Sequence, residues 1–275
     1  MPSPPPGVPS GDAARAALLD GLLALAVDAA DAAAALLLDA MDRVRVDVAT
    51  KSSRTDMVTE MDRASETLVR DLLLGARPDD GFLGEESDET PGTSGVRWVV
   101  DPLDGTTNYL YGHAGWNVAV AAELDGRGVV GVVHDPLQGD VFAARLGGGA
   151  TRNGRSIAVS EQRQLATALC ATGFAYDPDR RRRQAEVLTA VIPRIRDVRR
   201  VGAAAVDLCS VACGRLDAYW ERGLGPWDLA AGAVIATEAG AVVGDPGELG
   251  YVLVAPPALF DDLRAVLDAA GAADA

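Results

Sequence analysis

The sequence predicts an α/β protein with an α+β first lobe over about residues 12–161 and an α/β second lobe over about 162–275. Three observations carry this. A long apolar segment punctuated by aspartates comes first; β-rich runs joined by glycine turns follow; and from about Gln162 strands alternate with helices. With 275 residues, 48% of them apolar, the chain can bury a sizeable core. No stretch of linker quality separates the lobes, so a single unit is expected over 12–275.

The opening "MPSPPPGVPSG" has no basic stretch leading into an apolar core and reads as a disordered Pro-rich tail over 1–11, not a signal peptide. Between Ala13 and Met41 the apolar run is interrupted by Asp20, Asp28, Asp31 and Asp39. Together with Asp42 these fall within roughly 100° of a helix circumference. An acidic stripe of that width marks an amphipathic helix lying on a core, not a membrane span. "KSSRTDMVTEMDRASETLVRDLLLGARP" begins irregular and turns helical near Thr59. There Thr59 and Asp62 resemble a cap, and Met61, Ala64, Leu68 and Leu72 form the inner stripe until Pro78 ends it.

"GFLGEES" and "VRWVV" read as two strands that run into acids. "WNVAVAAELDGRGVVGVVHDP" gives two strands around Asp125-Gly126, and "VFAARLGGGATRNG" adds another with a glycine-rich turn, so this sheet contains antiparallel pairs. Beyond Gln162 come a strand in "LCATGFA", a helix from Arg182 to Val191 and a helix in "VGAAAVDLCSVACG". The strand "LDAYWE", the helix "WDLAAGAVIATEAG", the strand "YVLVAP" and a helix from Ala258 to Ala269 complete the series.

A formal charge of −15 argues against a general nucleic-acid or anionic-membrane binder and suits a site loaded with cations. Cys170, Cys209 and Cys213 are an odd set with no His or Cys cluster to complete a zinc site. They read as small buried side chains in a reducing cytoplasm. His113 and His134 stand in no motif and read as structural or surface residues. "DRRRRQ", Asp179 to Gln184, is the one basic run and reads first as a solvated helix start. A contact with RNA, an acidic partner or a phosphorylated substrate is the less favoured reading.

"WVVDPLDGTTNY" is the most informative stretch. A buried strand that delivers Asp101 and Asp104 side by side is unfavourable unless a cation or proton lies between them. Both carboxylates and the Leu103 carbonyl can be aimed into one volume, an oxygen-only set that selects hard cations, Mg²⁺ above all beside phosphate. Gly105 then leads into Thr106 and Thr107, where the free N–H groups of a starting helix would face an anion. Standing alone, "DPLDG" fits an ordinary surface turn better. Glu85 and Glu86 likewise fit an acidic surface, Asp228 a helix-dipole charge, and Asp62 a helix cap.

Their combination decides. "DxVTxxD" at Asp56–Asp62, "GEES" at Gly84–Ser87, "DPLDGTTN" at Asp101–Asn108 and "WDLAAG" at Trp227–Gly232 occur in that order, joined by "DVRRVGAAAVDLCSVACGRLDAYWERG" from Asp197 to Gly223. This set resembles the inositol monophosphatase family over nearly the whole chain from Asp12 onward. The resemblance implies the layered αβαβα sandwich of sugar phosphatases and two or three Mg²⁺. Glu85, Asp101 and the Leu103 carbonyl would hold one ion, and Asp101, Asp104 and Asp228 a second. Thr106, with Asp62 behind it and Glu85 beside it, would orient and deprotonate the attacking water. Gly105, Thr106 and Thr107 would carry the phosphate, Glu221 and Ala204 would meet the polyol, and Lys51 and Ser52 would open a loop over the site.

The implied activity is hydrolysis of myo-inositol monophosphate by a metal-activated water in a Li⁺-sensitive cytoplasmic homodimer. No membrane is implied, and nucleic acid is not expected as a partner. Two metals about 3.5–4 Å apart can clamp a phosphoryl group with no covalent intermediate. The wider superfamily also hydrolyses fructose 1,6-bisphosphate, histidinol phosphate and 3′-phosphoadenosine phosphates, and a non-catalytic regulatory protein on the same fold is the remaining alternative. This chain departs from the pattern at Ala203, where family members commonly carry Ser or Thr, and in the short "VVGDPGELGYVLVAP" connection.

Overall fold

Strand alternation builds the layers of this protein, a computed structural model that describes the backbone of residues 11–46 and 54–275 and the side chains of 11–41 and 59–275. Helices α1 (Asp12–Val46) and α2 (Arg54–Ala76) precede strands β1 (Gly81–Gly84) and β2 (Val96–Asp104). Next come α3 (Thr106–Tyr111), β3 (Asn117–Leu124), β4 (Arg127–Asp135), β5 (Asp140–Arg145), β6 (Gly149–Arg152) and β7 (Arg155–Ser156). The second half runs β8 (Leu169–Thr172), α4 (Pro178–Val191), β9 (Asp197–Arg199), α5 (Ala204–Ala212), β10 (Ala218–Glu221) and α6 (Pro226–Glu238). It ends with β11 (Val242–Val243), α7 (Pro246–Leu249), β12 (Val252–Ala255) and α8 (Pro257–Ala269).

The first seven strands form one sheet in chain order, with β1 parallel to β2 and the others antiparallel. The remaining five form a second sheet in the order β11-β12-β10-β8-β9, with β8 parallel to both neighbours. Along β3, Val118, Val120 and Ala122 face α1 and α2, while Ala119 and Ala121 face the middle of the molecule. That period of two reflects the opposite direction of successive side chains in a strand. In the second sheet Tyr219, Val252 and Val254 face the middle; Trp220, Leu253 and Ala255 face α4 and α8. Helices α5 and α6 fill the space between the sheets, which gives the expected αβαβα layering.

By length and composition α1 could cross a membrane. In the fold its stripe of Leu19, Leu22, Ala26, Ala30, Ala33 and Leu37 is buried against the first sheet. Burying each leucine there contributes about 1.5–3 kcal/mol. Its aspartates reach across the sheet: Asp31 meets His134 Nδ1 at 2.8 Å, and Asp20 pairs with Arg145. The middle layer is equally tight. At Gly131 an added Cβ would stand 2.3 Å from the Ala231 carbonyl oxygen, so only glycine lets α6 lie this close to β4.

Three sequence expectations need correction. Helix α2 begins at Arg54, so Thr59 lies inside it and not at its start. Its buried face is Asp62, Ser65, Glu66, Val69 and Leu73, whereas Leu72 is 38% exposed and Met61, Ala64 and Leu68 are half-buried. Polar pairing turned the helix: Ser65 donates to the Pro102 carbonyl at 2.9 Å, and Glu66 accepts from the Glu86 N–H at 2.8 Å. Helix α4 starts at Pro178, not Arg182, because Asp177 accepts from the Arg180 N–H at 2.8 Å and proline suits the first helical position.

Candidate active site

The site is built where β2 ends. The strand continues through both acids, and a register shift between Asp101 and Asp104 against β3 turns these two carboxylates the same way. Gly105 follows at φ +84, a left-handed conformation that glycine adopts without strain. An added Cβ there would also stand 2.7 Å from the Gly115 carbonyl oxygen. Thr106 and Thr107 then open α3. The Thr106 hydroxyl donates to the Leu103 carbonyl at 3.1 Å, and Thr107 Oγ1 lies 2.9 Å from the Tyr176 hydroxyl.

Asp228 arrives from the other half of the chain, in the first turn of α6, where one of its oxygens accepts from the Gly225 N–H at 2.6 Å. Ligand oxygens of Asp101, Asp104 and Asp228 lie within 4.8 Å of one another. Glu85, just past the end of β1, lines the same cleft of about 440 Å³, together with Leu103, Gly105, Thr106, Ala204 and Glu221. Residues separated by more than a hundred positions thus share one volume. Lys51 and Ser52 lie outside the described residues.

Electrostatics mark the cluster as incomplete on its own. Burial, then Asp104, Glu85 and Asp228, push Asp101 well above the carboxylate range. Burial raises Asp104 to about 6, opposed by hydrogen bonds from Asn117 Nδ2 and the Ala205 N–H, both 2.9 Å from Oδ2. Glu85 rises to about 7 through burial and then the Asp228 and Glu86 charges. Asp62 sits behind, 4% exposed, with Oδ1 unpartnered among the described residues; burial and then Glu85, Glu86 and Glu66 raise it to about 8. Buried like charges with all-oxygen donors are the chemistry a hard divalent cation satisfies, so the residues fit such an ion.

In the same cleft, Glu221 accepts from the Tyr219 hydroxyl, and burial raises it to about 7. Sequence reasoning missed several neighbours. Asn117 braces Asp104, and its only signal is its place opposite Asp104 in the β2–β3 register. Phe174 and Tyr176 line the cleft from a loop with no residue pattern to announce them, and Arg200 lines it from within the quoted Asp197–Gly223 stretch, where no role was assigned to it. Asp207, 1% exposed in α5, is driven well above its usual value by burial and then Asp104 and Glu221.

Two sheets sandwiched by three helical layers, with a convergent acid cluster at the end of the first sheet, define an α/β fold of the sugar-phosphatase class. The inositol monophosphatase family model matches residues 18–269, and the chain belongs to that family. It is 45% identical over 234 residues to the inositol-1-monophosphatase of Mycobacterium bovis, covering 80% of this chain and 81% of that one. A protein of Pasteurella multocida named Nus factor SuhB is 41% identical over 198 residues, 71% of this chain and 74% of its own. Among solved structures, Mycobacterium tuberculosis SuhB superposes with a TM-score of 0.82 at 40% identity, covering 93% of this chain and 98% of that one.

Proposed function

We propose that this chain is a Mg²⁺-dependent phosphomonoesterase that hydrolyses myo-inositol monophosphate to inositol and phosphate. The observation that carries the reading is the convergence of Asp101, Asp104 and Asp228 within 4.8 Å, with Glu85 beside them in one cleft. Glu85, Asp101 and the Leu103 carbonyl would hold one ion, and Asp101, Asp104 and Asp228 another. When bound, Mg²⁺ supplies charge neutralisation of the phosphoryl group, a lowered pKa for the attacking water and stabilisation of the departing oxygen.

The chain's own residues supply the rest. The N–H groups at the start of α3, after Gly105, offer hydrogen bonds to phosphate oxygens, and Thr107 adds a hydroxyl. Thr106 is placed to orient water with its hydroxyl, now on the Leu103 carbonyl. Asp62, behind Thr106, would take up the proton of the attacking water once bound cations offset the neighbouring Glu85 and Glu86 charges, which together with burial raise its proton affinity in their absence. Glu221, held by Tyr219, would accept polyol hydroxyls, with Ala204 on the wall of the same cleft. The metal ligands grip only the phosphate shared by all such esters, so selection of the alcohol falls to these residues.

Three free cysteines, two of them buried, suit a cytoplasmic enzyme, and family membership supports a homodimer and Li⁺ sensitivity. The Pasteurella relative's name raises a second reading, a binding role on the same fold. The complete acid set favours turnover. Phosphate release from a panel of phosphomonoesters tests this: activity requires Mg²⁺, disappears with chelator, returns on Mg²⁺ addition and is lost in Asp101→Asn. Release that survives Asp101→Asn, or that needs no metal, defeats the proposal.

A further inference from the structure

The basic run at the start of α4 has no place in the chemistry above; Arg181, Arg182 and Arg183 are solvated as expected, yet Arg180 and Arg181 also reach back to the cleft rim. The Arg181 guanidinium donates to the Ala175 carbonyl from Nε and to the Tyr176 carbonyl from one Nη, each at 2.9 Å. Arg180 lies over Gly223, so close that an added Cβ there would stand 2.5 Å from its guanidinium. Both of the segments they touch line the cleft. The first turn of α4, fixed by the Asp177 cap, therefore clamps two sides of the rim.

What the clamp holds up is an aromatic side chain that gains little from burial. Tyr176 is 78% exposed, yet it lines the cleft and its hydroxyl lies 2.9 Å from Thr107 Oγ1, beside the seat assigned to phosphate. An exposed aromatic ring at the wall of a polar cleft, on a backbone held by a cation, offers an apolar face to whatever enters that cleft. We propose that Tyr176 determines specificity for the leaving group, its ring laid against the carbon face of a cyclic polyol. Arg181 is the residue that positions it. This deepens the phosphatase reading and rests on it. An aromatic face favours a ring with axial C–H groups over an open-chain alcohol, which presents no flat apolar side.

The test compares two phosphomonoesters, myo-inositol 1-phosphate and glycerol 2-phosphate, with wild type, Tyr176→Phe, Tyr176→Ala and Arg181→Ala in saturating Mg²⁺. Tyr176→Ala should raise KM for the ring ester about tenfold and for the acyclic ester about twofold, with kcat on the ring ester changed far less than KM. Tyr176→Phe keeps the ring face and should keep the discrimination between esters. Arg181→Ala should lose part of it. An equal fall on both esters assigns Tyr176 a purely structural role and overturns the proposal, as does an unchanged KM for the ring ester, while the phosphatase reading stands in both cases. Wild-type protein that releases phosphate from neither ester overturns both.

Discussion

Replacing Asp62 with asparagine separates electrostatic strain from packing more cleanly than any other change at the site. Asp62 is 4% exposed, its Oδ1 is unpartnered among the described residues, and its value rises from 3.8 to about 8, through burial first and then Glu85, Glu86 and Glu66. A carboxyl raised on folding binds its proton more tightly in the native state. Without metal, stability therefore falls as pH climbs from the unfolded value toward the folded one. Integrated between about pH 5 and about pH 9, the loss from this one group is about 4 kcal/mol, at 1.36 kcal/mol per unit. That is a large fraction of the roughly 5–15 kcal/mol that holds a domain together. Asparagine keeps the shape and cannot ionise. Equilibrium urea unfolding in chelator should show wild type and Asp62→Asn nearly equal near pH 5 and the variant ahead by several kcal/mol near pH 9. Saturating Mg²⁺ should shrink that gap, because bound cations offset the neighbouring charges. A difference that does not change with pH refutes the assignment of a strained, proton-holding carboxyl. In the active protein the same variant should lower kcat by about a hundredfold or more if Asp62 handles the proton of the attacking water.

Two further outcomes follow from named contacts. Asn117→Ala removes one of the two bonds that hold Asp104 Oδ2, and a bracing partner of this kind is worth about 10–100-fold in metal affinity, which a Mg²⁺ titration of the thermal midpoint would measure. Gly131→Ala places a Cβ 2.3 Å from the Ala231 carbonyl, and overpacking there should cost about 1–3 kcal/mol in urea unfolding, whereas a midpoint equal to wild type would mean that α6 shifts freely off β4.

Much of this protein was legible in its sequence, and the reasons are local. Period-two apolar runs such as "NVAVAAEL" admit few readings, and Asp125-Gly126 adopts left-handed φ values of 53 and 76, as a tight hairpin requires. The acids could be named because "DPLDGTTN" and "WDLAAG" occur in order with "GEES" and "DxVTxxD", a set that resembles the inositol monophosphatase family, whereas each motif alone fits an ordinary turn or helix start. The face of α2 was not legible. Apolar spacing pointed to Met61, Ala64, Leu68 and Leu72, but the bonds from Ser65 to Pro102 and from Glu86 to Glu66 turned the helix toward the site. Local sequence carries no record of such long-range partners. The expected boundary of α4 at Arg182 fell four residues late, because the Asp177 cap and a proline at the first helical position start the helix at Pro178.

By itself, then, the sequence determined most of the strands and helices and the hairpins that join neighbouring strands, because periodicity and turn residues are local, while the layering and the candidate metal ligands were named through the resemblance its ordered motifs carry. Tertiary structure alone decided that Asp228 meets Asp101 and Asp104 within 4.8 Å, that Asn117 braces one of them, and that Tyr176 reaches Thr107 at the rim. These pairings span 13 to more than a hundred residues, and their geometry is set by how two sheets close around α5 and α6. The strained proton affinity of the cluster arises only there, since charges repel and lose water only once folding has brought them together.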